Sequence, residues 1–149
     1  MKLPEIEITV KYKGAKKSEL KKISNSSDMY DILKEMYNHD TIDWQEEMIL
    51  ICLNQAAKVI GYYKISSGGI TGTICDPKIV FTIALNCAGT CNIILSHNHP
   101  SGNTTPSRGD IEVTKRIIEA GKILDIKVID HIIYTDEGFY SFADEGQLF

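Results

Sequence analysis

The chain has 149 residues, 43% hydrophobic and 24% charged, with a net charge of −4. That is the balance of one soluble globular domain and excludes a fibrous, disordered or disulfide-built chain. A domain of this size buries about 68–70% of its unfolded surface and folds without a disulfide or a structural metal.

Glu5 to Tyr12 alternates as a strand does, and Lys13-Gly14 reads as a turn. Residues 11–22 gather Lys11, Lys13, Lys16, Lys17, Lys21 and Lys22 against Glu19 alone. Such a cluster fits a solvated edge, with phosphate contact as the alternative, and only Tyr12 is there to stack on a base. Asp28 caps a helix through Asn38 with Ile32, Leu33, Met36 and Tyr37 as its stripe. Met48 to Leu53 is apolar throughout, as in a strand covered on both faces. A turn at Asn54–Ala57 leads to a strand at Lys58–Ile65, and Ser66–Thr73 reads as loop.

Asp76-Pro77 opens a helix that runs to about Gly89, and Ile93-Ile94-Leu95 begins another buried strand. Thr105-Pro106 opens the longest helix, with Ile111, Thr114, Ile117 and Ile118 at helical spacing and its end near Leu124. Lys127–Thr135 is a long strand, turned by Asp136-Glu137-Gly138 into a short one at Phe139–Phe142. Interleaved strands and helices predict an α/β sandwich with a mixed sheet. No apolar run is long enough to span a bilayer, and Met1–Glu5 opens no signal-like segment, so the expected compartment is the cytoplasm with no membrane partner. Cys52, Cys75, Cys87 and Cys91 form no Cys-x-x-Cys pair and are expected to be free of disulfides, with Cys52, Cys87 and Cys91 in the core. Leu148 and Phe149 give an apolar C-terminal pair suited to packing on a partner, with the oligomeric state open.

The chemistry concentrates in Ser96-His97-Asn98-His99-Pro100-Ser101-Gly102, followed by Thr105-Pro106-Ser107-Arg108-Gly109-Asp110. Side chains two apart on a strand point the same way, so His97 and His99 face one point while Asn98 faces away to tie down the loop. Pro100 ends the ladder, and the loop returns the start of the next helix over the strand end, with Ser107 and Asp110 on one face. Two histidines and a carboxylate leave one tetrahedral position open, the mark of a catalytic zinc site, here one zinc per chain. Such an ion acidifies a water and polarises a carbonyl, and a free carboxylate serves as base. Glu46 and Glu47 are the candidates. Iron, cobalt or nickel would suit the same ligands.

The pattern Glu…His-x-His-x7-Ser-x2-Asp resembles that of the JAMM (MPN+) metalloproteases, with His97, His99, Ser107 and Asp110 at its spacing. His-Asn-His-Pro-Ser-Gly and Ile129-Asp130-His131-Ile132-Ile133 narrow the resemblance to the JAB domain of RadC-like proteins, over residues 28–149. The resemblance implies a deaminase-like three-layer α/β/α sandwich. It implies zinc on His97, His99 and Asp110, an oxyanion contact from Ser107, and a base that falls best on Glu46. The activity implied is hydrolysis of an amide, peptide or isopeptide bond in a peptide or protein substrate. His-x-Glu and Pro-Cys-x-x-Cys are absent, which disfavours base deamination.

Residues 1–27 form a separate lysine-rich strand and turn, where full-length RadC proteins carry a helix-hairpin-helix-like segment. The competing reading is a repair-associated module that binds DNA or protein and holds its metal structurally, with the lysine cluster as its positive sign. Asp130 and His131 are expected as core residues or as partners of the ligand histidines. His39 is expected on the surface, and Trp44, the only tryptophan, either in a substrate groove or in the core.

Overall fold

The computed structural model describes residues 1–14, 16–67 and 75–148. Most of the loop expected at Ser66–Thr73, and Phe149, lie outside the described residues. The elements are α1 (Ser26–Met36), β1 (Glu47–Leu53), β2 (Val59–Ser67), α2 (Pro77–Asn86), β3 (Asn92–Asn98), α3 (Arg108–Ile123), β4 (Lys127–Thr135) and β5 (Gly138–Ser141). One five-stranded sheet runs in the order β2-β1-β3-β4-β5. Its pairings are antiparallel except β3 with β4, which α3 links in parallel. The sheet is therefore mixed.

Three layers arise from the alternation of β1, buried along its whole length. Met48, Leu50 and Cys52 point to one side and pack with Val80, Phe81 and Ala84 of α2 and Ile117 and Ile118 of α3. Ile49, Ile51 and Leu53 point to the other and pack with Met29 and Leu33 of α1 and with Tyr37. Close approach of α3 to the start of β4 requires glycine at Gly121, where a Cβ would stand 2.3 Å from the Ile126 carbonyl oxygen. Among the described residues no helix is long and apolar enough to cross a membrane.

One irregularity in the sheet decides which way the end of β4 faces. Ile93 pairs with Val128, but Ile94 pairs with Asp130, so Ile129 is an extra residue in β4. Such a bulge inverts the alternation beyond it. Val128 points toward α2 and α3, and past the bulge Ile132 and Tyr134 point toward α1. His131, paired with Leu95, thereby shares the α3 side with His97.

Several expected boundaries shift. α1 begins at Ser26 because Asn25 caps it, accepting from the Asp28 N–H, while Asp28 accepts from the Ser24 N–H just ahead of the cap. α2 ends at Asn86, three residues ahead of Gly89, whose φ of +90° serves the turn beyond. α3 starts at Arg108, two residues after Pro106, because Ser107 caps it.

The strand expected at Glu5–Tyr12 is not one. Ile6, Ile8, Val10 and Tyr12 are exposed and join no ladder of the described sheet. Alternation states which side chains share a face, but a strand also needs a neighbour to take its backbone hydrogen bonds. Tyr12 is docked by hydrogen bonds, donating its hydroxyl to Cys87 Sγ at 3.8 Å and accepting from the Ala88 N–H at 3.2 Å. Leu148, half-buried, packs against the protein's own core cluster. Cys52, Cys75 and Cys87 are buried, Cys91 is half-buried, and all four are free thiols.

Candidate metal centre

β3 delivers the histidines. Its alternation sends Ile93, Leu95 and His97 toward α3, and Ser96 and Asn98 toward α1. The turn after Pro100 closes through the Gly102 N–H on the His99 carbonyl, with Gly102 at φ +77°. The Asn103 carbonyl then takes a hydrogen bond of 2.5 Å from His99 Nδ1. A carbonyl only accepts, so Nδ1 carries the proton and Nε2 is left as a lone pair.

α3 delivers the carboxylate through its own cap. Ser107 Oγ accepts from the Asp110 N–H at 3.1 Å, and Asp110 Oδ2 accepts from the Ser107 N–H at 2.7 Å. This reciprocal capping box locks the Asp110 side chain over the end of β3. Ser107 thus has a structural duty that spacing alone does not disclose. Its hydroxyl accepts the cap bond and keeps a proton to donate.

Donor atoms of three residues meet. His97 Nε2 is 2.9 Å from His99 Nε2 and 3.2 Å from Asp110 Oδ1, and His99 Nε2 is 3.2 Å from Asp110 Oδ2. All of the ligand atoms these residues offer lie within 4.8 Å of one another. Donors bound at about 2.0–2.1 Å around a tetrahedral ion stand about 3.3 Å apart, so the triangle suits zinc. The His97 side chain is only 1% exposed, while His99 and Asp110 are 16% and 15% exposed, which opens the cluster on one side. That side is where a fourth ligand would enter.

Electrostatics reflect this crowding. Burial pushes the Asp110 carboxyl upward, but the His97 and His99 rings beside it outweigh burial and hold the group well below the usual carboxylate range. Burial pulls the His99 imidazole down, and contact with Asp110 and with the Asn103 carbonyl reverses the sign and raises it. His131 is fully buried, and burial, with His97 beside it, drives its pKa far down, so it is neutral. His131 Nε2 lies 2.8 Å from His97 Nδ1, and its Nδ1 lies 2.6 Å from Thr114 Oγ1.

The two glutamates part company. Glu46 lies one residue ahead of β1 on the alternation of Met48, which pairs with His97, and its charge acts on His99. Glu47 falls on the opposite alternation and is buried, with Oε2 3.3 Å from Lys64 Nζ. Asp130 forms no hydrogen bond to a histidine ring: its carboxylate accepts from Ser141 Oγ and from the Ala143 and His131 N–H groups. It ties β4 to the turn after β5. Trp44 is 60% exposed, which removes the core alternative for it. His39 is exposed, between the Lys34 carbonyl and Asp136. No motif marks Asn103 or Thr114. The first acts through its backbone, and the second carries only the helical spacing that places it four residues after Asp110.

Comparison with known proteins agrees with this arrangement. The family model described as RadC-like JAB domain matches residues 23–147. A UPF0758 protein of Flavobacterium johnsoniae is 44% identical over 127 residues, 85% of this chain and 54% of that protein. Another, of Geotalea uraniireducens, is 35% identical over 144 residues, 96% of this chain and 61% of the relative. A third, of Caldanaerobacter subterraneus, is 40% identical over 124 residues, 83% of this chain and 52% of the relative. The chain spans little more than half the length of these relatives.

Proposed function

Given that the chain belongs to the RadC-like JAB domain family, we propose that it is a zinc-dependent hydrolase of amide bonds, peptide or isopeptide, acting on a peptide or protein in the cytoplasm. The observation that carries the reading is the convergence of His97, His99 and Asp110 within 4.8 Å, open on one side. The ion, when bound, supplies Lewis acidity and an acidified water.

The chain's own residues do the rest. Glu46 takes a proton from the attacking water and returns it to the leaving amine. Its register toward His97 and its action on His99 support that role, and the engagement of Glu47 with Lys64 argues against the neighbour. Ser107 donates its hydroxyl to the oxyanion that develops on the carbonyl, at the N-terminus of α3, where the helix dipole favours negative charge.

Elemental analysis of protein purified without added zinc tests the centre. About one zinc per chain is expected, lost in His97→Ala and in Asp110→Ala while circular dichroism stays unchanged. Glu46→Gln is expected to keep the metal and abolish turnover of whichever peptide in a mixed library the wild type cleaves. A metal-free wild type that takes up none on titration sinks the reading.

Exposure of Lys11, Lys13, Lys16 and Lys22 supports a second reading, contact with nucleic acid. Duplex DNA binding that weakens steeply with salt and disappears when these lysines become glutamine would favour it.

A further inference from the structure

From the hydrogen bonds behind the metal face, we infer that Thr114 and His131 are positioning residues that fix which nitrogen of His97 is offered to the ion. This deepens the zinc-site reading and rests on it.

The chain of donors starts in the backbone of α3. Thr114 Oγ1 lies 2.6 Å from the Asp110 carbonyl oxygen, which can only accept, so the single hydroxyl proton of Thr114 is committed there. Toward His131 Nδ1, 2.6 Å away, the same oxygen must therefore accept, and His131 Nδ1 carries the proton. A neutral imidazole protonated at Nδ1 has a bare Nε2. That Nε2 lies 2.8 Å from His97 Nδ1, so it accepts, and His97 is protonated at Nδ1. The lone pair of His97 is thus left on Nε2, the atom that faces His99 Nε2 and Asp110 Oδ1. Along the contacts from Asp110 through Thr114 and His131 to His97, reversing any one assignment sets two protons or two lone pairs against each other, and the two bare Nε2 atoms of His97 and His99 are left facing each other where the cation would sit.

Two features keep the relay in place. His131 and Thr114 are both fully buried, so water does not compete for either bond. His131 also stacks on Phe142, with ring centroids 4.9 Å apart and planes 10° from parallel. Asp110 enters twice, by its carboxylate among the ligands and by its carbonyl at the head of the relay. One residue thus sets both a ligand and the protonation of its neighbour. Groups that orient a ligand histidine in this way are worth about 10–100-fold in metal affinity.

Zinc affinity of the full chain, measured by competition with a chromophoric chelator, tests the inference. His131→Phe keeps the stacking ring and removes both hydrogen bonds; it is expected to weaken zinc by about 10–100-fold. His131→Gln can accept from His97 and donate to Thr114, and should recover most of that loss. Thr114→Val should weaken zinc, whereas Thr114→Ser should not, which keeps the test open should His131→Phe fail to fold. Long-range proton–nitrogen NMR of the metal-free wild type should find both His97 and His131 protonated at Nδ1. Wild-type affinity in both His131→Phe and Thr114→Val overturns the inference, as does equal loss in the Phe and Gln variants or an Nε2-protonated His97. A wild type that binds no zinc overturns the metal centre itself, a distinct result.

Discussion

Ser96 and Asn98 face α1 from β3, while His97 and His99, interleaved with them at the end of the same strand, face α3. The first pair is fully engaged. Ser96 Oγ meets the Tyr37 hydroxyl at 2.8 Å. Asn98 donates to the Ile42 and Gln45 carbonyls, each at 2.9 Å, and accepts from the Glu47 N–H at 2.7 Å. The pairing of β1 with β3 ends at Met48 and His97, and the Asn98 side chain serves the backbone where that ladder stops. The histidines instead aim two lone pairs and a carboxylate at one another. Buried polar groups are normally paired, so the saturated face is architecture, and the unsaturated face offers donors that could hold a cation.

Metal removal should separate the faces most strongly. Zinc at about 1,000 times its dissociation constant stabilises a native site by about 4 kcal/mol, so a chelator should lower the denaturation midpoint of the wild type by a corresponding amount and leave His97→Ala unmoved. A chelator response that survives in His97→Ala would break the distinction. Asn98→Ala should do the reverse. It strands three backbone groups and should cost about 3 kcal/mol in the metal-free protein, while native-state zinc affinity changes only a few-fold. Tyr37→Phe, which leaves the Ser96 hydroxyl unpaired, should cost about 1 kcal/mol by denaturant titration and leave zinc untouched.

The smallest effect belongs to His39, a histidine satisfied at both nitrogens far from the ligands. A hydrogen bond to the Lys34 carbonyl, then one to Asp136, raises its pKa above the ordinary 6.5. Its contribution is therefore complete below about pH 6.5 and fades as pH rises through the higher folded value. His39→Asn should flatten a slight fall in denaturation midpoint as pH rises above about 6.5, and an unchanged slope would assign that fall elsewhere.

Patterns that depend on neighbours in the chain were legible. The full burial of β1 showed in six consecutive apolar residues, β4 matched its expected bounds, and the strand-end His-x-His and the helix-start Asp110 met as their spacing required. What escaped depends on partners remote in the chain. Either Asn25 or Asp28 is a competent cap, and the chain uses both, in different roles. The alternation of Glu5–Tyr12 reads as a strand until one asks what it pairs with. Asp130 and His131 are adjacent and so point to opposite faces, but which of them tethers β5 and which touches His97 is set by a bulge that no local pattern records.

That bulge has a meaning for insertions and deletions. Past Ile129 the pairing is regular, Leu95 with His131 and His97 with Ile133. Removing Ile129 would heal the ladder and leave each later pair in place, so the strand can tolerate losing that residue. Removing Val128 and Ile129 together would draw every later residue one step along β3 and exchange the two faces of β4. His131 would then look toward Tyr37, and Asp130 toward α3. Across relatives, the histidine should therefore follow the Val128 position by three residues with the bulge or by two without it, because both counts keep that ring on the side of His97.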